Sequence, residues 1–181
     1  MTFSEKYKDE ITDILSRYPV KRSALIPLLY VAQRDHGYVT EAAMQEIAAL
    51  LRLTPPQVYE TITFYTMFHL KPVGKFHLQV CKSLMCALVG SDTVIGWIAT
   101  KLGIAPGETT ADGLFSLSAV ECLAACGTGP MMQINDDYYE QLTEDKLDQI
   151  LSDLRSTGTS SLKSGPFMWP GATPAERACE A

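Results

Sequence analysis

Cys81 and Cys86 enclose four residues in "CKSLMC", and Cys122 and Cys126 enclose three in "ECLAACGTGP". Four thiolates, soft and negatively charged, suit a zinc ion or an iron–sulfur cluster. Structural zinc sites most often use knuckles with two residues between cysteines, enough to wrap one ion. Gaps of four and three fit a wider object, two irons each gripped by two sulfurs. Gly127 and Gly129 follow the second pair at once. Glycine lets backbone N–H groups come close to sulfur and donate to it. Leu84, Met85, Leu123, Ala124 and Pro130 are expected to form an apolar wall against water. Spacing alone leaves zinc, and unligated or disulfide-bonded thiols, open. Thiol–disulfide exchange fits poorly: it relies on C-x-x-C at a helix N-terminus, and the chain has no such motif.

Two pairs can serve one site only if the fold brings them to one pole. Between Cys86 and Cys122 lie 35 residues, room for one helix and one strand. In "KFHLQVC", Phe76, Leu78 and Val80 alternate with His77, Gln79 and Cys81, so a strand ends at Cys81. Cys86 then falls at the turn into a helix, "ALVGSDTVIGWIATKLG", ending near Gly103. "LFSLSAV" reads as a second strand, with Cys122 and Cys126 in the loop after it. "MMQINDDYYEQL" is a hairpin turning at Asn135–Asp137. A last helix starts at Thr143 and carries Leu147, Ile150, Leu151 and Leu154 on one face. The order β-α-β-β-β-α makes a compact thioredoxin-like α/β domain over residues 73–155.

Before it, residues 1–72 read as a helical bundle, so the whole is α+β. Tyr7, Ile11, Ile14, Leu15 and Tyr18 form one apolar stripe, ended by Pro19. "RSALIPLLYVAQRDHG" stops at Gly37, with Pro27 in its first turn or at a kink. Thr40 caps a helix burying Met44, Ile47 and Leu51. "TPPQ" places Thr54 at the N-cap, Pro55 at the first helical position and Gln57 in a capping box, with Val58, Ile62 and Tyr65 on the apolar face. Pro72 and Gly74 in "LKPVGK" mark the domain boundary. Residues 156–181, rich in Ser, Thr, Gly and Pro, read as an irregular tail.

A formal net charge of −6 without a basic cluster argues against nucleic-acid binding. No apolar run approaches the roughly 18–20 residues of a bilayer span, and the charged N-terminus lacks the apolar core of a secretion signal. The chain therefore reads as cytosolic, or already processed, and in a reducing compartment clustered cysteines more often bind metal or do redox work than form disulfides. His36, His69 and His77 are not needed as ligands, because the cysteines fill all four positions of such a site. "FYTMF" reads as core and interdomain packing, and "INDDYY" as a turn. Cys179 reads as a free tail thiol; Trp169 fits either a tail anchor on a partner or plain disorder.

"FYTMFHLKPVGKFHLQVC", "CKSLMC" and "VECLAACGTGPMMQINDDYYEQLT", with the helical region before them, resemble the thioredoxin-like [2Fe–2S] subunit of respiratory complex I across residues 3–155. The resemblance implies that Cys81, Cys86, Cys122 and Cys126 ligate one [2Fe–2S] cluster. It implies partners: a flavoprotein subunit that binds NADH and FMN, and a larger iron–sulfur subunit. The complex would hold the chain on the inner face of the cell membrane, or on the matrix side in a mitochondrion. The chain would serve as an electron-transfer subunit of NADH:quinone oxidoreductase, with no catalysis of its own. The same module in an NAD-linked hydrogenase or formate dehydrogenase is the alternative, and a structural zinc scaffold is an alternative of another class. Two positions depart from the family's usual residues: Ala124 stands where glycine is usual, and Gly129 where alanine often precedes the proline.

Overall fold

The computed structural model describes residues 2–164. The chain forms two compact units, Met1–Val73 and Gly74–Ala181. Cys179 and Trp169, and the expectations attached to them, lie outside the described residues.

The first unit is helical. Thr2 caps α1 (Phe3–Lys6) through a reciprocal box with Glu5. Tyr7 leaves helical geometry, so α2 (Lys8–Arg17) starts anew after it, and the expected stripe spans a break. Tyr18 is extended, as a residue before proline prefers to be. A short tight turn, Lys21–Ala24, leads into α3 (Leu25–His36), and Pro27 lies in its first turn, where the lost N–H costs nothing. Gly37 closes α3 in the left-handed conformation at φ 76°. Thr40 caps α4 (Glu41–Leu51), and Thr54 with Gln57 forms the capping box of α5 (Pro55–Phe64). Leu28, Leu29, Ile47, Val58 and Ile62 are buried at the centre, each burial contributing about 1.5–3 kcal/mol. Gln33 ties down the chain after α5, donating to the Met67 carbonyl and accepting from the His69 N–H, both at 2.7 Å.

"FYTMF" does not behave as core. Phe68 is buried, but Phe64 is 77% exposed, and Tyr65 and Met67 are exposed as well. α5 ends at Phe64, so its inward face ends at Ile62 and the next residues turn outward.

The second unit is a four-stranded sheet in the order β2-β1-β3-β4, from β1 (Phe76–Cys81), β2 (Phe115–Val120), β3 (Met132–Ile134) and β4 (Asp137–Tyr139). β1 and β2 run parallel, with Cys81 opposite Val120. β3 pairs antiparallel with β1, and β4 with β3. Gly74 enters β1 where a Cβ would lie 2.7 Å from the Phe115 carbonyl carbon, so only glycine fits beside β2.

The helix expected from Ala87 to Gly103 is two helices, α6 (Leu84–Leu88) and α7 (Ser91–Leu102). Gly90 at φ 100° breaks them apart and ends the first within one and a half turns. α7 and α8 (Glu144–Ser156), the latter capped by Thr143, cover one face of the sheet. Val94, Ile98, Leu147 and Ile150 meet Leu78, Val80, Leu117, Met132 and Tyr139 there. Successive strand residues face opposite ways, so Cys81 and Tyr138 belong to the other face. Beyond α8 the backbone is irregular but tied down: the Ser164 N–H donates to the Tyr138 carbonyl at 2.7 Å, and Lys163 pairs with Asp137.

Candidate metal centre

Parallel pairing decides where the thiols go. β1 and β2 end side by side, so the segments that follow them leave the sheet at one edge. Cys81 is the last residue of β1; Cys86 lies inside α6 as its third residue, rather than at a turn leading into a later helix as expected. Cys122 stands two residues beyond β2, and Cys126 opens a short tight turn, Cys126–Thr128. Lys82 N–H donates to the Val120 carbonyl at 2.9 Å, and Ser83 Oγ donates to Glu121 at 3.0 Å. Lys82 also pairs with Glu121 at 3.5 Å, so this carboxylate clasps the two cysteine segments together.

All four thiols are free. Cys122 Sγ and Cys126 Sγ are 3.5 Å apart. A disulfide would bring them to about 2.0 Å, whereas two thiolates on one tetrahedral metal stand about 3.7 Å apart, from metal–sulfur bonds near 2.3 Å. Cys81, Cys86 and Met131 form one buried cluster, and Leu123 and Ala125 of the second cysteine loop pack against it. The pairs are therefore neighbours. Among the described residues no group of three or more His, Cys, Asp and Glu side chains is arranged to hold a single metal ion. His77 instead bonds Ser118, with Nε2 and Oγ 2.8 Å apart.

Burial pushes the Cys86 thiol up to about 11, with the Cys81 thiol adding and a Met131 N–H opposing. The hydrogen bond to Cys122 and the charge of that thiol raise Cys126, with slight desolvation and the charge of Cys81 adding to that. Attacking thiols of exchange enzymes are lowered instead. A group of thiols that resists becoming anionic on its own needs a cation among them to ionise.

Backbone donors reach the sulfurs. The Ala124 N–H donates to Cys122 Sγ at 3.3 Å, from a residue held at φ 65°. The Met131 N–H donates to Cys86, while the Met131 carbonyl accepts from the Cys81 N–H at 3.2 Å. A Cβ on Gly129 would lie 3.3 Å from Cys86 Sγ and 3.0 Å from Val89 Cγ2. Gly127 has open space around it and no positive φ, so the close approach expected of both glycines is needed only at Gly129. The apolar wall is also corrected. Leu123 and Pro130 are half-buried, but Leu84 is 73% exposed, and Met85 and Ala124 are exposed. α6 turns Cys86 inward and leaves its other side to solvent. Met131, Tyr138 and Glu121 take part in the site without having been singled out by spacing. For Tyr138 a signal existed: strand parity puts it on the face of Cys81.

A family model described as thioredoxin-like [2Fe–2S] ferredoxin matches residues 11–155. The chain belongs to that family. It is 45% identical over 149 residues to an E-type subunit of the NADH-quinone oxidoreductase of Rhizobium meliloti (strain 1021), covering 82% of this chain and 89% of the relative. It is 46% identical over 155 residues to the E-type subunit of the NADH-quinone oxidoreductase of Rickettsia felis (strain ATCC VR-1525 / URRWXCal2), covering 84% and 93%. In fold it is similar to the crystal structure of an NAD+-reducing [NiFe]-hydrogenase in the H2-reduced state. The TM-score is 0.64 at 18% identity, over 72% of this chain and 23% of the hydrogenase chain.

The residues of this thioredoxin-like ferredoxin fit a [2Fe–2S] cluster. The thiols come as two neighbouring pairs, one with its sulfurs 3.5 Å apart, close to the separation on a single tetrahedral iron. N–H donors meet a sulfur of each pair.

Proposed function

We propose that this chain is the electron-transfer subunit of an NADH:quinone oxidoreductase, with one [2Fe–2S] cluster held by Cys81, Cys86, Cys122 and Cys126. It exchanges single electrons with the FMN of a partner flavoprotein that binds NADH, and docks with the larger iron–sulfur subunit of the same complex. The observation that carries the reading is the arrival of both cysteine pairs at the ends of two adjacent parallel strands. The relatives' names and their near-complete coverage support its setting.

A [2Fe–2S] cluster supplies one-electron transfer, at a potential set by ligands, hydrogen bonds, charge and exposure. The chain's own residues act on each of these. The Ala124 and Met131 N–H groups stabilise negative charge on sulfur and so favour reduction. Burial of Cys81 and Cys86 opposes added negative charge, while the Glu121 carboxylate at the clasp is balanced by Lys82 at 3.5 Å. As an electron-transfer subunit, the isolated chain is expected not to oxidise NADH. Among the described residues no helix is long and apolar enough to cross a membrane; attachment to the inner face of the membrane would come through the complex.

Metal and sulfide analysis of the purified, reconstituted chain tests the reading. The expected result is about two irons and two sulfides per chain, with a rhombic EPR signal on reduction. Cys122→Ala should abolish both. One tightly held zinc and no iron, or an unchanged spectrum in Cys122→Ala, would sink it.

A further inference from the structure

The second cysteine loop has little burial of its own. Cys122, Ala124, Cys126 and Gly127 are all exposed. What steadies it comes from β4 and the residues after it. Beyond Cys126, the Gln141 N–H donates to the Thr128 carbonyl at 2.8 Å, and the Leu142 N–H to the Pro130 carbonyl at 2.9 Å. Thr128 also bonds Glu140.

Between the two cysteines the grip is narrower. The Tyr138 hydroxyl donates to the Leu123 carbonyl at 2.8 Å. Among the described residues it is the one hydrogen bond from outside the loop that reaches residues 123–125. The Leu123 carbonyl and the Ala124 N–H belong to a single peptide group, and they point opposite ways across it. One end of that dipole is held by Tyr138; the other donates to Cys122 Sγ.

We infer that Tyr138 is a positioning residue for the cluster, acting on the Cys122 sulfur through the Leu123–Ala124 peptide. The inference rests on the cluster reading above. The hydroxyl does two things. It fixes the plane of a peptide whose following residue sits at φ 65°, a conformation alanine does not choose unaided. It also polarises that peptide, because hydrogen bonds in a chain strengthen one another. Both effects strengthen the N–H···S bond and favour the reduced cluster.

Tyr138 can do this because β4 is itself fixed. The Ser164 N–H donates to the Tyr138 carbonyl, and Lys163 pairs with Asp137 beside it. The Tyr138 ring packs beside Cys81, Cys86 and Met131, so it braces both pairs. Tyr139, the next residue, lies in the core on the opposite face and makes no such contact.

The test compares Tyr138→Phe with Tyr139→Phe in the reconstituted full chain. Tyr138→Phe keeps the ring and loses the hydroxyl. It should shift the one-electron reduction equilibrium toward the oxidised cluster by about threefold, equal to about 30 mV lower at 59 mV per tenfold. The reduced-state EPR g values should move with it. Tyr139→Phe should leave both unchanged. A Tyr138→Phe cluster with wild-type potential and g values, or equal shifts in the two variants, overturns the inference while leaving the cluster reading intact. A wild-type chain that takes up no iron and sulfide removes both. Should Tyr138→Phe fail to fold, amide exchange in the wild-type chain decides. Slow exchange at Ala124 supports the held peptide, and exchange at the rate of an open loop refutes it.

Discussion

Cys81 and Cys86 are each 2% exposed, whereas Cys122 and Cys126 are exposed to solvent. The first pair belongs to the folded body: one thiol ends a central strand, the other faces inward from α6, and Met131 touches both. The second pair is displayed on a loop whose shape is set by β4 and by one alanine in an unfavourable conformation. A site can thus be half core and half loop. The core half fixes its place, and the loop half leaves the thiols open to whatever approaches.

Cysteine labelling of the metal-free chain would give the largest contrast. With Cys86 pushed up to about 11, little thiolate exists at neutral pH, and burial restricts access as well. Exposed Cys122 should therefore react about 100-fold faster than Cys86 near neutral pH, with Cys126, itself raised by Cys122, between them. Similar rates, read by mass spectrometry of the labelled peptides, would erase the distinction between the halves.

Crowding should matter only in the buried half. Gly129→Ala places a methyl group 3.0 Å from Val89 Cγ2 and 3.3 Å from Cys86 Sγ. It should cost about 1–3 kcal/mol of stability in denaturant unfolding. Val89→Ala in the same chain should recover most of that; no recovery would mean the thiol, rather than Val89, is what cannot yield.

Strain should matter only in the loop half, where the effect is smallest and opposite in sign. Ala124→Gly removes a left-handed alanine and adds unfolded-state freedom. The two together should leave a net gain of about 0.5–1 kcal/mol. A loss would show that the alanine methyl packs usefully.

Much of the fold was readable because local chemistry set it. Thr54, Pro55 and Gln57 announce α5, Thr143 announces α8, and the alternation from Phe76 to Cys81 gives β1 and the place of its terminal cysteine. What escaped depends on tertiary neighbours or on very short elements. α6 has five residues, too few for an apolar period, so the exposure of Leu84 and Met85 could not be read from it. The break at Gly90 had a signal, glycine followed by Ser91 and Asp92 as a fresh helix start, but the apolar run through it masked the division. Phe64, Tyr65 and Met67 are apolar by type, and only the end of α5 decides that they face outward. The bond from Tyr138 to Leu123 joins positions 15 apart and needs the hairpin in place before it exists.

The matched register of β1 and β2 restricts how this gene can change length. One codon gained or lost between Phe76 and Cys81 would reverse the pleat for everything after it, sending Cys81 toward α7 while Cys122 kept its side. The loop after α7 is bound to β2 as well, through the Gly107 N–H on the Leu117 carbonyl at 2.7 Å and the Thr110 N–H on the Phe115 carbonyl at 2.8 Å, so it too tolerates a change of length only outside residues 107–110.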